Sequence, residues 1–201
     1  MAITKIKTTS SFTNLTKYDS FLAGNAAYNP SSFESITSAN GNGSSSSITF
    51  SSISGAYKHL QIRGIARTSD TSSNTPRYIQ IQFNSDTGSN YAWHGLNSAT
   101  ASGTAEAAIS YPTTYGYQKG LSQSTSTSKM GPFIIDIQDY SSTTRNKTVR
   151  TFSGVDFSGS GQVCMYSSLW MSTSAITSIT LTSNTGAFST NTTFALYGIK
   201  G

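Results

Sequence analysis

The sequence predicts an all-β protein: an antiparallel β-sandwich, jelly-roll-like, with an extended N-terminal arm. The first observation is a series of short stretches in which apolar and polar side chains alternate, which is the period of a half-buried strand. The second is that clusters of glycine, asparagine and serine separate these stretches at short intervals, as in sandwiches and barrels. The third is composition, because only 10% of the residues are charged and the abundant serine and threonine form helices poorly. We expect about nine or ten strands and no helix of ordinary length.

Residues 1–32 form the predicted arm, because their pattern differs from that of the rest of the chain. Their apolar residues are widely spaced at first and then near-helical in spacing, and a Tyr-Asn-Pro-Ser-Ser turn at 28–32 follows. These residues have no obvious partner segment nearby, so we predict that the arm attaches the protein to another subunit. A packed N-terminal strand or a frayed tail is the alternative. The predicted attachment residues are Ile3, Ile6, Phe12, Leu15, Tyr18, Phe21 and Leu22.

The sandwich domain is predicted to span residues 33–201, and its first half contains four strands. Ile79, Ile81 and Phe83 alternate with glutamines and are predicted to point inward. Gly64 lies inside a strand, where glycine indicates a bulge or a close approach of another segment. A polar loop is expected at 68–76. The predicted strands cover residues 33–36, 48–50, 60–66 and 78–83, with a turn at 40–43.

The second half of the domain is predicted to add the remaining strands. Tyr91 and Trp93 occupy one side of a strand that follows a turn at 84–90, and Cys164 is a buried small residue in a later strand. Asp136 is predicted to face away from its apolar neighbours. Structured and polar loops are expected at 111–118 and 120–129. Strands are expected at 107–109, 133–137, 147–153 and 162–167, and a closing pair of strands lies between Ile176 and Ile199.

The distribution of charged and apolar residues argues against two classes of partner, nucleic acids and membranes. The net charge is +5 and the pI about 9.3, but the thirteen basic residues are scattered, without a run or a nucleic-acid-binding signature. We therefore predict no nucleic-acid binding. No stretch approaches the roughly 18 apolar residues of a membrane span, so no membrane insertion is predicted. The one cysteine can form no disulfide within the chain.

Titratable residues are too few and too scattered to predict a catalytic site. His59 and His94 are interpreted as strand-edge residues, and Asp136 and Asp139 have no fixed relative direction that would favour a catalytic pair. The turn at 84–90 lacks the acidic ligands of a calcium loop, and one cysteine with two distant histidines cannot bind zinc. We predict no enzymatic activity, no metal and no cofactor.

Aromatic residues are the remaining candidates for a binding site. An aromatic face can pack against the apolar face of a sugar ring, and the glycine-containing stretch around Tyr115 and Tyr117 holds the rings that we most expect to be exposed. Tyr91, Trp93, Tyr111, Tyr115 and Tyr117 could form a sugar-stacking surface, and of these we predict glycan contact by Trp93, Tyr115 and Tyr117. Core packing or the anchoring of a loop is the alternative role for these rings.

Five segments of the sandwich domain, taken in order, carry a family resemblance: SITFSSI at 47–53, YKHLQIR at 57–63, FNSDTGSNY at 83–91, SAITSI at 174–179 and FALYGIK at 194–200. In this order they resemble a module of structural proteins in tailed bacteriophages, especially marine and cyanobacterial phages. The opening MAITKIK also resembles the start of short phage tail-fibre proteins. The chain differs from long fibres because it lacks a triple-helical or coiled-coil shaft.

The resemblance implies a bacteriophage virion structural protein, an externally displayed sandwich of the tail-fibre or tail-tip adhesion type, anchored by its N-terminal arm. It supplies no catalytic motif. A capsid decoration protein and a free carbohydrate-binding module are the alternatives, and a hydrolase is the least favoured. The expected partners are other virion proteins through the arm, further copies in a homo-oligomer with a trimer favoured, and a host-surface glycan. The expected location is the virion, assembled in the host cytoplasm.

Overall fold

A computed structural model describes residues 33–98 and 105–200, and the predicted arm lies outside them. The described chain is all-β, as predicted, with twelve strands and no helix. The strands are β1 (Phe33–Asn40), β2 (Ser47–Phe50), β3 (His59–Ala66), β4 (Thr75–Phe83), β5 (Tyr91–Ser98), β6 (Ala105–Thr113), β7 (Gly116–Gln123), β8 (Gly131–Ile137), β9 (Lys147–Asp156), β10 (Gly161–Trp170), β11 (Ile179–Ser183) and β12 (Thr193–Ile199).

Two antiparallel sheets pack face to face, which confirms the predicted sandwich. The large sheet has eight strands in the order β1-β12-β3-β8-β9-β10-β5-β6, and the small sheet has four in the order β2-β11-β4-β7. The first strand pairs with the last and the second with the next to last, and β3 and β4 then pair with the other sides of β12 and β11. This nested pairing is that of a jelly roll.

Two hairpins inserted into the jelly roll make the sheets unequal. The β5–β6 hairpin lies between β4 and β7 in the chain, and the β9–β10 hairpin lies between β8 and β11. Strand β9 pairs with β8, and β10 pairs with both β9 and β5. The four inserted strands therefore extend the large sheet beyond the small one, a feature that the sequence does not predict.

The apolar core lies between the two sheets. Ile79, Ile81 and Phe83 point into it as predicted and are at most 1% exposed. The rings of Tyr91 and Trp170 lie beside Phe83, and burial raises the pKa of Tyr91 to about 12. Each large apolar side chain buried in this way contributes about 1.5–3 kcal/mol. Further fully buried members come from both sheets: Leu60, Ile62, Ile135, Ile137, Val149, Ile179, Leu181, Phe194 and Leu196.

Between the inserted strands and β7 the interior is partly polar. The edge strand β7 packs over β9 and β10 there, with Gln118, Ser153 and Ser168 buried between them. Ser153 donates a hydrogen bond to the carbonyl of Lys119, and the side-chain amide of Gln118 donates one to Ser168 Oγ at 3.2 Å. These hydrogen bonds offset burial costs of about 1–3 kcal/mol for each polar group.

The polar interior explains why two loop predictions are wrong. Most of the predicted loop at 111–118 belongs to β6 and β7, and β7 continues to Gln123 inside the predicted loop at 120–129. The buried side chains of β7 are mostly polar, so the strand has no apolar alternation.

The predicted loop at 68–76 also ends too late, because β4 begins at Thr75. Pro76 is tolerated in β4 because β11 pairs with this strand only from Ile79 onward.

The predicted closing strands are present, but they do not pair with each other. Strand β11 lies in the small sheet between β2 and β4, and β12 lies in the large sheet between β1 and β3. Both are interior strands that send fully buried apolar side chains into the same core. The last two strands of the described chain therefore lie one in each sheet, and their side chains meet in the core between the sheets.

Gly64 marks a close approach and not a bulge. The pairing of β3 with β12 and with β8 runs through Gly64 without a register shift. A Cβ at this position would lie 2.4 Å from Cδ1 of Phe194 and 2.4 Å from the carbonyl oxygen of Thr193. Both distances are far inside van der Waals contact, so only glycine fits without movement of the neighbouring strand.

We expect Gly64→Ala to lower the free energy of unfolding by about 1–3 kcal/mol, because the added methyl group overpacks the core. Urea denaturation measures the change. Gly55→Ala is the matched control, since the nearest atom to its added Cβ would be 4.0 Å away, and it should alter stability by less than about 0.5 kcal/mol. Equal stability of Gly64→Ala and the wild type would contradict the close approach.

Candidate functional site

Four aromatic side chains form a stacked row, named the aromatic column: Trp93, Tyr117, Tyr78 and Tyr115. The ring centroids are 4.5 Å apart for Trp93 and Tyr117, 4.2 Å for Tyr117 and Tyr78, and 6.2 Å for Tyr78 and Tyr115. The three residues predicted to contact a glycan therefore lie together. Tyr78 is the member that the sequence prediction omits, since its place in the column depends on the pairing of β4 with β7.

Tyr117 lies in the middle of the column, where both of its ring faces are covered. Trp93 and Tyr78 are both stacked within 4.5 Å of its centroid, and two rings at that distance cannot share one face. Burial raises the pKa of Tyr117 above its ordinary value. Tyr117 and Tyr115 are half-buried and not exposed as expected. A ligand would therefore meet Trp93, Tyr115 and the edge of the column, with Tyr117 as the spacer between them.

The aromatic column lies at the edge of the small sheet, where the large sheet extends beyond it. Tyr78 lies on β4 and Tyr117 on the edge strand β7 of the small sheet, whereas Trp93 lies on β5 in the extension of the large sheet. Because the large sheet extends beyond the small one, strand β5 of the large sheet lies beside β4 and β7 of the small sheet. The inserted β5–β6 hairpin is what brings Trp93 to the site.

Amides and hydroxyl groups lie on the outer face of the small sheet, and Gln82 is the one next to the column. The side-chain amide of Gln82 donates a hydrogen bond at 2.9 Å to the carbonyl of Thr114, which precedes Tyr115. The hydroxyl groups of Thr49 and Thr180 lie 3.1 Å apart across β2 and β11. Aromatic rings beside such donors and acceptors can pack against a sugar ring and hydrogen-bond to its hydroxyl groups.

The two histidines are not arranged as a pair. His59 begins β3, as expected for a strand-edge residue, and its Nδ1 accepts a hydrogen bond at 3.0 Å from the backbone N–H of Asp139. His94 is exposed on the outer face of β5.

The carboxylates of Asp136 and Asp139 serve separate contacts. Asp136 faces away from the buried residues of β8, as predicted, and accepts a hydrogen bond at 2.6 Å from the side chain of Gln61. Asp139 pairs with Lys58 at 3.1 Å and with Arg145 at 2.7 Å. Hydrogen bonds from these two cations lower the pKa of Asp139. A carboxylate held between two cations is a weak proton acceptor.

Lys147 organises the turn that contains Asp139, and the sequence prediction missed it. Its side chain is fully buried, and Nζ donates hydrogen bonds to the carbonyls of Ser142, Arg145 and Thr173 at 2.7, 2.7 and 3.2 Å. Burial lowers the pKa of Lys147. The ammonium group thus fixes the loop before β9 as a bound cation would.

The carboxylate of Asp86, in the turn at 84–90, is hydrogen-bonded to other groups of the protein. It accepts hydrogen bonds from Trp170 Nε1 at 2.7 Å, Asn90 Nδ2 at 2.9 Å and the N–H of Gly88 at 2.9 Å. Burial alone would raise the pKa of Asp86, but these hydrogen bonds outweigh it and lower the pKa. Within residues 33–98 and 105–200, no group of three or more His, Cys, Asp and Glu side chains is placed to hold a metal ion.

Cys164 is fully buried, as predicted, and burial raises the pKa of its thiol to about 11. The thiolate, which is the reactive form of cysteine, is therefore scarce at neutral pH. In the described part of the chain, no helix is long and apolar enough to cross a membrane.

Comparison with known proteins adds no assignment, because no family model, curated protein or solved structure matches the chain. The seven predicted attachment residues between Ile3 and Leu22 lie outside the described residues. Function is therefore inferred from the geometry of the sandwich and from the sequence itself.

We expect Asp86→Asn to lower the free energy of unfolding by about 1–2 kcal/mol at pH 7, because charge-assisted hydrogen bonds are lost. The folded state holds the pKa of Asp86 below its ordinary value of 3.8. The carboxylate therefore contributes stability that is present above about pH 4 and is lost as pH falls through the folded-state pKa.

Urea denaturation between about pH 7 and pH 2.5 tests this, since the difference between wild type and Asp86→Asn should shrink in acid. Asp156→Asn is the control, because Asp156, the last residue of β9, is exposed and accepts one hydrogen bond from the N–H of Ser158. A difference for Asp86→Asn that stays constant over this range would contradict the proposed contacts.

Proposed function

We propose that the chain is a virion structural protein of a tailed bacteriophage. In this proposal the sandwich is displayed on the outside of the particle as a tail-fibre or tail-tip adhesin, and residues 1–32 anchor it to other virion proteins. The support is the resemblance of five segments to a phage module, together with the place of these segments in the jelly roll.

The observation that carries the proposal is that the five segments meet in space. The segments at 47–53 and 174–179 lie together where β2 pairs with β11, and those at 57–63 and 194–200 lie together where β3 pairs with β12. Asn84, in the remaining segment at 83–91, accepts hydrogen bonds from the N–H groups of Thr177 and Ser178 at 2.8 and 3.1 Å. Segments far apart in the chain thus form two groups that line one core.

The aromatic column favours adhesion as the role of the displayed domain. A host-surface glycan would pack against Trp93 and Tyr115 and hydrogen-bond to the amides and hydroxyl groups beside them. Packing on the column suits an adhesin because it needs neither a metal nor a loop rearrangement. A free carbohydrate-binding module would use the same residues without the arm.

Capsid decoration is the second candidate, and one observation favours it. The outer face of the large sheet carries exposed apolar residues such as Phe152 and Met165, which suit contact with protein better than contact with water. A decoration protein would use this face against the particle.

We expect glycan binding that is weakened about tenfold or more by Trp93→Ala and by Tyr115→Ala, since loss of one aromatic platform costs about 1.4 kcal/mol. A glycan array followed by calorimetry with the strongest ligand measures this. Tyr111→Ala is the matched control, because Tyr111 is 67% exposed and lies outside the column. Equal affinity of all three variants and the wild type would contradict adhesion through the column.

Removal of residues 1–32 should abolish incorporation into particles while the remaining domain stays folded, because the sandwich core involves strands from β2 onward. Electron microscopy and particle immunoblotting measure incorporation, and circular dichroism reports the fold. Undiminished incorporation of the truncated chain would contradict anchoring by the arm.

A further inference from the structure

The two outer faces of the sandwich differ in chemistry. The small sheet presents threonine and glutamine, including Thr49, Gln82 and Thr180. The large sheet instead presents an outer apolar face, defined by Leu96, Ile109, Ile134, Phe152, Val163 and Met165. Their side chains are 39% to 65% exposed. An antiparallel sheet whose face is solvated normally carries polar residues there.

The outer apolar face is continuous across strands. Ile134 on β8 lies opposite Phe152 on β9, Phe152 lies opposite Met165 on β10, and Met165 lies opposite Leu96 on β5. Directly opposed side chains on neighbouring strands are about 4.5–5.5 Å apart, so these four residues form one apolar row. A depression of about 510 Å³ beside this row is lined by Leu96, Ile109 and Met165.

The β9–β10 hairpin carries apolar residues on both of its faces. Its buried face mixes Val149 and Cys164 with polar residues such as Thr151, and its exposed face carries Phe152 and Met165. A strand that faces water on one side is expected to place its apolar residues on the buried side and polar residues on the exposed side. The exposed apolar residues therefore indicate that the outer apolar face is itself covered in the functional protein.

We propose that a second copy of this chain covers the outer apolar face, with the two large sheets packed face to face across a two-fold axis. The six residues of the outer apolar face lie on five neighbouring strands of the large sheet. Five strands at a spacing of about 4.8 Å are roughly 19 Å wide, and strands of seven to ten residues are roughly 24–34 Å long. The apolar part of the face is thus on the order of 500 Å², which suits the apolar centre of an interface. The remaining strands of the sheet would supply a polar rim and bring the contact toward the roughly 800 Å² that each partner buries in a standard interface.

The charges on the face are self-complementary. Asp136 and Arg150 lie directly opposite each other on β8 and β9, next to the apolar row. Within the described residues no ion pair joins them, and Asp136 accepts a hydrogen bond from the side chain of Gln61. In a two-fold interface every contact occurs twice, so Asp136 of each copy can pair with Arg150 of the other.

Analytical ultracentrifugation of the full chain is expected to show a dimer whose Kd rises at least about 100-fold in Phe152→Lys, because a buried anchor is replaced by a charge. Thr49→Lys is the matched control on the small sheet and should leave the dimer unchanged. If Phe152→Lys fails to fold by circular dichroism, Met165→Lys takes its place. A wild-type monomer at concentrations up to roughly 1 mM, or an oligomer that Phe152→Lys and Met165→Lys leave intact, would overturn the proposal.

A charge exchange tests the two-fold pairing itself. Asp136→Arg and Arg150→Asp should each weaken the dimer, because each variant presents two like charges to its own copy. Mixing the two variants should restore association, since one variant then faces the other with opposite charge. No restoration in the mixture would contradict face-to-face pairing. The measurement uses the isolated protein, so its outcome is independent of any role on a virion.

Discussion

The structure depends on the burial of two strands, β11 and β12, that lie in the interior of the two sheets. Each has neighbours on both sides, and Ile179, Leu181, Phe194 and Leu196 are fully buried between the sheets. Strands from the beginning of the described chain must pair with these strands from its end before either sheet is complete. The fold is therefore built on contacts between residues far apart in sequence, which form late and slowly in folding.

Much of the architecture could be predicted because alternation reports which side of a strand is buried. The inward direction of Ile79, Ile81 and Phe83 and the outward direction of Asp136 follow from a period of two. The pattern fails at β7, where Gln118 is fully buried by polar neighbours. Pairing between distant strands has no local signal either, so the placement of β11 and β12 in different sheets could not be predicted.

Only part of the candidate site could be predicted from the sequence. Composition and turn residues direct attention to Trp93, Tyr115 and Tyr117, because few other residue types in this chain offer a binding surface. The stack of Tyr78 on Tyr117 depends on the pairing of β4 with β7. The covering of the other face of Tyr117 depends on Trp93, which the inserted β5–β6 hairpin carries. The outer apolar face could not be predicted, because alternation alone does not say which side of β9 and β10 faces the core.

The two proposed surfaces lie on different sides of the sandwich and are compatible. The polar face beside the aromatic column belongs to the small sheet, and the outer apolar face belongs to the large sheet. Two copies joined through their large sheets would present two columns outward. Paired weak glycan sites can gain avidity without new contacts if both sites engage one surface.

Amide hydrogen exchange on the full chain tests most directly whether β11 and β12 hold the structure together. We predict that amides in Ile179–Ser183 and Thr193–Ile199 exchange only through global unfolding, with opening free energies equal to the free energy of unfolding. Amides in the inserted β5–β6 hairpin should open at lower free energy, because β6 is an edge strand outside the jelly roll. Faster exchange in β11 and β12 than in β5 and β6 would contradict the central role of the two interior strands.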